Sequence, residues 1–215
     1  MATYNLVSSA DTYIEDTAAT TNFGTSGSMY TGEYNAGAQI DRILLKFDLS
    51  SIPSTYTVTS ATLRLTDVGT DFTDNARSLL AYRCLQAWVE TEATWNVYST
   101  GNSWGTAGAG NTTTDREVAN IGSVTFDNPP ITNQAKDLAL TPSKVQEWIN
   151  GTLTNNGLVL VMTTETNDMH RFYTRDTGTD LYRPRLFIVA SGSTPGNIWR
   201  SASSSDGMSM NEGAT

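Results

Sequence analysis

Residues 41–49, DRILLKFDL, decide how this chain folds. Ile43, Leu45, Phe47 and Leu49 fall on one side of an extended chain, and Arg42, Leu44, Lys46 and Asp48 on the other. Successive side chains of a strand point to opposite faces, so this is a strand with one covered face and one mostly polar face. TSATLRLTD (59–67) repeats the pattern, with Ala61, Leu63 and Leu65 inward and Thr62, Arg64 and Thr66 outward. GLVLVM (157–162) is apolar throughout and predicts a central strand covered on both sides. LLAYRCLQAW (79–88) puts Leu80, Tyr82, Cys84 and Trp88 on one face. TYNLVS (3–8), RFYTRD (171–176) and RLFIVAS (185–191), the last read as the closing strand, complete at least seven strands.

One segment reads as a helix. TPSKVQEWINGT (141–152) offers Thr141 or Ser143 as N-cap, Pro142 in the first turn and Gly151 as the stop. Val145, Trp148 and Ile149 form a single buried stripe at i, i+3 and i+4. Many strands with one short helix predict an all-β fold, an antiparallel β-sandwich of jelly-roll type, over residues 1–190. Residues 191–215 form a C-terminal extension of linker composition, in which Ile198 and Trp199 stand as an apolar island and an expected assembly anchor. The loop 99–116 is rich in Gly, Thr and Asn, and its Trp104 is expected to be an exposed aromatic.

Composition narrows the function classes. A net charge of −9 repels phosphate backbones and excludes nucleic acid as a partner. The same field works against polyanionic glycans unless Arg and Lys gather on one face. No run approaches the length of a membrane span. The single cysteine, Cys84, rules out an internal disulfide and a thiolate zinc site, and reads as a buried core thiol. The single histidine, His170, reads as a solvated residue at a strand end.

Seven landmarks follow one another in order: SADTYIED, TNFGTSGSMYTG, DRILLKFDLSSIP, VTSATLRL, AWVETEATWN, VQEWINGTLTNNGLVLV and FYTRDTGTDLYRPRLFIV. Their order resembles the DNRLRE domain family, a carbohydrate-binding-module type that includes alginate-binding members, over residues 8–190. The resemblance implies a jelly roll that is usually a non-catalytic module of long exported chains. Here the sequence starts at Met1 with neither a basic n-region nor an apolar h-region. The expectation is therefore a bacteriophage virion accessory protein, a capsid decoration (cement) or tail-associated protein made in the host cytoplasm. Its partners would be a capsid protein or further copies of itself. The alternative is a free-standing carbohydrate-binding module for an acidic polysaccharide such as alginate, at an extracellular or cell-surface location reached by non-standard export. Without export, the N-x-T sequons at Asn111 and Asn150 are expected to stay unglycosylated.

Three groups of residues bear on chemistry. Glu90 and Glu92 lie between Trp88 and Trp95, two positions apart, which a strand would place on one face at about 6–7 Å. A carboxylate pair can serve glycoside cleavage, but the resemblance is to a non-catalytic family and the pair is read as structural. No catalytic residue is assigned. Arg171, Tyr173 and Arg175 alternate onto one strand face and form the expected glycan strip, gripping uronates through bidentate contacts and stacking. The competing reading, and the preferred one, pairs Arg175 internally with an acid such as Asp48 or Glu90 and locks the sheets. Asp11 and Asp16, with Glu15, Asn22 and the Gly-rich FGTSGS, are candidates for a calcium ion, the one cofactor the sequence leaves open.

Overall fold

In the computed structural model, which describes residues 1–34, 37, 39–69, 77–126, 131–166 and 168–192, one strand organises the rest. β1 (Ala2–Glu15) serves two neighbours. Its first half, Ala2–Val7, pairs with β12 (Arg185–Gly192), and its second half, Ser8–Glu15, pairs with β3 (Gln39–Phe47) after a register shift between Ser8 and Ala10. An irregularity there is how a strand bends from one neighbour to the next.

The remaining strands are β2 (Ser28–Tyr34), β4 (Tyr56–Thr66), β5 (Arg77–Arg83), β8 (Gly122–Phe126), β9 (Ala135–Leu140), β10 (Leu158–Met162) and β11 (Met169–Tyr173), with the small pair β6 (Val97–Ser99) and β7 (Asn102–Ser103) apart. Of these, β4, β9, β8, β5 and β10 close a ring between β12 and β3. The order β1-β12-β4-β9-β8-β5-β10-β3 returns to β1, and β2 and β11 continue from β3. Every described pairing is antiparallel. The all-β reading with one short helix therefore stands, as an eight-strand barrel-like closure that leaves few open edges.

The period-two pattern fills the interior. Ile43, Leu45 and Phe47 meet Ala61, Leu63 and Leu65, with Leu158, Leu160, Leu186 and Ile188 in the same buried cluster. α1 (Pro142–Ile149) lays Val145 and Trp148 onto it, Trp148 being 7% exposed. Thr141 holds the N-cap position, but its hydroxyl donates to the Ile121 carbonyl and makes no cap bond. Gly151, at φ +76°, ends the helix in the left-handed region, where a side chain is costly.

A second cluster lies outside the ring. Residues 84–116 leave β5 and cover the outer faces of β1, β3 and β10, burying Ile14, Leu44, Val159 and Val161 under Cys84, Trp88 and Trp104. This is why β10 is buried at every position and why Leu44 sits on an otherwise polar face. Arg42 ties the cover down: it donates to Glu165 through Nε and Nη2 at 2.7 Å, donates to the Gly108 carbonyl, and lies over the Trp95 ring. Arg83, 2% exposed, pairs with both Glu117 and Glu147 and so joins β5 to the cover and to α1.

Two sequence expectations are corrected here. Trp104 is not an exposed aromatic: it is 5% exposed, and its indole donates to the Thr94 carbonyl at 2.9 Å. The loop around it is folded on Asp115, whose carboxylate accepts the backbone N–H groups of Gly105, Thr106 and Asn111. His170 is not solvated: it is fully buried beside Phe126, with Nδ1 3.7 Å from Asp67 Oδ2. β11 approaches the end of β4 through a bridge between Asp67 and Phe172, and His170 shares a strand face with Phe172, two residues on, their rings 6.3 Å apart. Cys84 is buried as expected, and burial pushes its thiol up to about 12, which makes it inert. Ile198 and Trp199 lie outside the described residues.

Candidate functional site

The outer faces of β1, β12, β4 and β9 form one continuous wall. Register sets its rows: Val7 opposite Arg185, Arg185 opposite Arg64, and Arg64 opposite Asp137; beside it, Asn5 opposite Phe187 and Phe187 opposite Thr62. Two arginines directly opposite each other repel, so the arrangement needs anions nearby. Arg64 donates to Asp137 through Nε at 2.6 Å and Nη2 at 2.7 Å, and its guanidinium lies 4.9 Å from the centre of the Phe187 ring. Those bonds hold the Asp137 carboxyl below its usual range. Arg185 reaches Asp180 Oδ2 at 2.5 Å and Asn5 Oδ1 at 3.2 Å.

A short 3-10 turn, Asp180–Tyr182, raises the side of this wall. Tyr182 stacks on Tyr173 with ring centres 4.8 Å apart and planes 22° apart. The Tyr173 hydroxyl donates to Asn133 Oδ1 at 2.9 Å, and Asn133 adopts φ +61°, a conformation asparagine tolerates better than most residues. Asn5, Arg64, Asn133, Leu181, Tyr182, Arg185 and Phe187 line a groove of about 510 Å³. It combines guanidinium donors, amides and aromatic or apolar faces. That set recognises carboxylates by forked hydrogen bonds and sugar rings by their apolar faces.

The expected glycan strip is divided among three places. Arg171 lies over Tyr30 on β2, with its guanidinium 5.6 Å from the ring centre. Tyr173 joins the groove through Tyr182 and Asn133. Arg175 is held by Glu90, with Nε to Oε1 at 2.8 Å and Nη2 to Oε2 at 2.7 Å. The internal pairing favoured from the sequence thus has Glu90, not Asp48, as its partner; the Asp48 carboxylate accepts Ser50 N–H.

Glu90 and Glu92 do not converge. Glu90, with its side chain 13% exposed, also accepts the Asp11 backbone N–H at 2.8 Å, while Glu92 accepts the Thr100 N–H at 2.7 Å. The early acids are separated too. Asp11 accepts Ser8 Oγ–H and Arg175 N–H, whereas Asp16 accepts the Ile40 N–H and Glu15 accepts Thr17 Oγ–H. Asn22 donates to the carbonyls of Glu90 and Ala93. Among the described residues, no group of three or more His, Cys, Asp or Glu side chains is gathered to hold a metal ion.

The alternation in the sequence places Arg64 outward but does not join it to Arg185 and Asp180 in one site. The parity that could have done so is visible, since Arg185 and Phe187 share one face of β12. What the parity lacks is the register that sets β4 against β12 and β9.

Fold and groove together describe a β-rich protein with an open, polar and aromatic groove on its outer wall. The chain matches the model of carbohydrate-binding module family 96 over residues 2–118, just over half its length, and it belongs to that family. The matched stretch carries Asn5 and Arg64 of the groove and all of the AWVETEATWN landmark. None of the curated proteins compared with it matches the chain. Members of such a family bind carbohydrate and are non-catalytic.

Proposed function

We propose that this protein is a non-catalytic module that binds an acidic polysaccharide, a polyuronate such as alginate, along the groove on β1, β12, β4 and β9. The ring is read as a flattened jelly roll that presents this wall outward. The observation that carries the reading is the facing pair Arg64 and Arg185, bordered by Phe187 and the Tyr173–Tyr182 stack. In a chain of net charge −9, two opposed guanidiniums, each also held by one carboxylate (Asp137 and Asp180), bring cationic groups together on an outer face where an anionic ligand can reach them. The pair with Asp137 uses Nε and Nη2 of Arg64, so its Nη1 edge is not engaged there.

The test is calorimetric titration with oligomers of alginate, polygalacturonate and a neutral glucan. Binding is expected for the polyuronates, weakening with salt because the contacts are charge-assisted. Arg64→Ala and Arg185→Ala should each lose about tenfold in affinity, the scale of one charged hydrogen bond. No new reducing or unsaturated ends should appear. Unchanged affinity in the double variant moves the site elsewhere, and preference for the neutral glucan overturns the ligand class.

A further inference from the structure

The groove's aromatic rings are partly engaged already. Phe187 has the Arg64 guanidinium 4.9 Å from its ring centre, and Tyr182 is stacked on Tyr173. Leu181 differs from both. It lines the same groove and is 75% exposed, the one large apolar side chain exposed there among the described residues. Its neighbours in the 3-10 turn are anchored. Asp180 accepts Arg185 Nη2 through its carbonyl at 3.1 Å as well as through its carboxylate. Tyr182 donates its N–H to the Thr179 carbonyl at 3.0 Å and keeps its ring on Tyr173. An exposed leucine is ordinary on a protein surface. This one stands between two fixed residues, one of which is bonded to a guanidinium of the proposed site.

We propose that Leu181 is a specificity-determining residue of the groove, packing on the C–H face of a sugar ring so that the site selects a hexuronan over other polycarboxylates. This rests on the groove being the polysaccharide site. A hexuronate carries its carboxylate directly on the ring. A carboxylate held by Arg185 therefore brings a ring face close to Leu181, which follows directly on the Asp180 that Arg185 binds. In polyglutamate the carboxylate sits on a flexible stem, and polar backbone takes the place of the ring.

The guanidiniums cannot make this distinction, because Arg64 and Arg185 present forked donors that suit any carboxylate. Discrimination between two such ligands needs a contact that only one of them completes. An apolar side chain supplies it. Against a ring face it removes apolar surface from water, whereas against an amide backbone it desolvates polar groups without pairing them.

Calorimetric titration of the full chain with alginate oligomers and with polyglutamate of matched charge tests this. The wild type should bind alginate about fivefold more tightly, the scale of one partly buried apolar side chain. Leu181→Ser should lose that margin and keep its polyglutamate affinity, with the salt dependence of both unchanged. Its heat-capacity change on binding alginate should become less negative, since less apolar surface is buried. Leu181→Met should bind like the wild type. Neither variant should shift the melting temperature by more than about 2 °C, because the side chain is exposed. Equal wild-type binding of the two polymers overturns the proposal. So does a Leu181→Ser variant that keeps the alginate margin or weakens on both ligands alike. Arg64→Ala with Arg185→Ala separates the two claims. Loss of both ligands upholds the groove whatever Leu181 does, and unchanged alginate binding sinks the groove reading itself.

Discussion

Arg64 and Asp137 face each other across β4 and β9, joined by two hydrogen bonds, with their side chains 40% and 47% exposed. An exposed pair of this kind contributes about 0.2–1 kcal/mol to stability. On the proposed reading of the groove its larger effect would be on recognition, because Asp137 occupies the guanidinium edge best suited to a ligand carboxylate.

Asp137→Asn should therefore raise polyuronate affinity by about threefold, since the forked edge of Arg64 becomes available to the ligand. The melting temperature should shift by less than about 3 °C. Titration calorimetry and a thermal melt measure both. A drop in affinity as large as that of Arg64→Ala would instead make Asp137 the residue that orients Arg64 for binding.

Stability should fall as pH rises. Asp41 is fully buried beside Gln39, whose side chain donates to Oδ2, and burial, with Glu15, Asp16 and Glu165 adding to it, raises its carboxyl to about 8. The folded value lies above the unfolded one, so the stabilising effect is complete in acid and is lost as pH rises through about 8. Asp11, raised to about 6, acts in the same direction at lower pH. Urea unfolding at a series of pH values should show stability declining from about pH 4 to about pH 8, and Asp41→Asn should remove the upper part of that decline. A wild-type stability that climbs over this range would contradict the assignment.

Trp148 anchors α1 to the interior cluster at 7% exposure. Trp148→Ala should cost about 3–5 kcal/mol in denaturant unfolding, from lost burial and the cavity left behind. A loss below about 1 kcal/mol would mean that the helix contributes little to holding the ring closed.

The interior was legible because the alternation in 41–49 and 59–67 assigns faces without any knowledge of neighbours. Ile43, Leu45, Leu63 and Leu65 all lie in the interior cluster. The apolar run 157–162 likewise announced a strand covered twice. The cover itself was harder to see. The loop 99–116 has the composition of an exposed connection, yet Asp115 gathers its backbone N–H groups and lets Trp104 insert. One carboxylate satisfying several donors leaves no periodic signal. The groove was hidden for a related reason: Arg64, Asp137 and Arg185 are far apart in sequence and meet only through strand register, which alternation cannot supply.

The stretch between Trp88 and Trp95 makes the sharpest contrast. Glu90 and Glu92 are chemically identical and two residues apart, but their surroundings differ. Glu90 accepts the Asp11 N–H and both edges of the Arg175 fork, so it links the outer cover, β1 and the segment after β11. Glu92 accepts one local bond from the Thr100 N–H. Glu90→Gln keeps the shape but removes the charge, so one amide oxygen must replace a carboxylate that serves three donors. Arg175 is 37% exposed, and water can take over part of that loss. The expected cost is about 1–3 kcal/mol, the range for charged hydrogen bonds. Glu92→Gln should stay within about 0.5 kcal/mol, as surface substitutions do. Paired denaturation curves measure the difference. The same two variants, incubated with alginate and pectin, should match the wild type in releasing no reducing or unsaturated ends. Equal stability losses would remove Glu90 from its structural role. An activity present in the wild type and lost in both variants would make the two glutamates a catalytic pair after all.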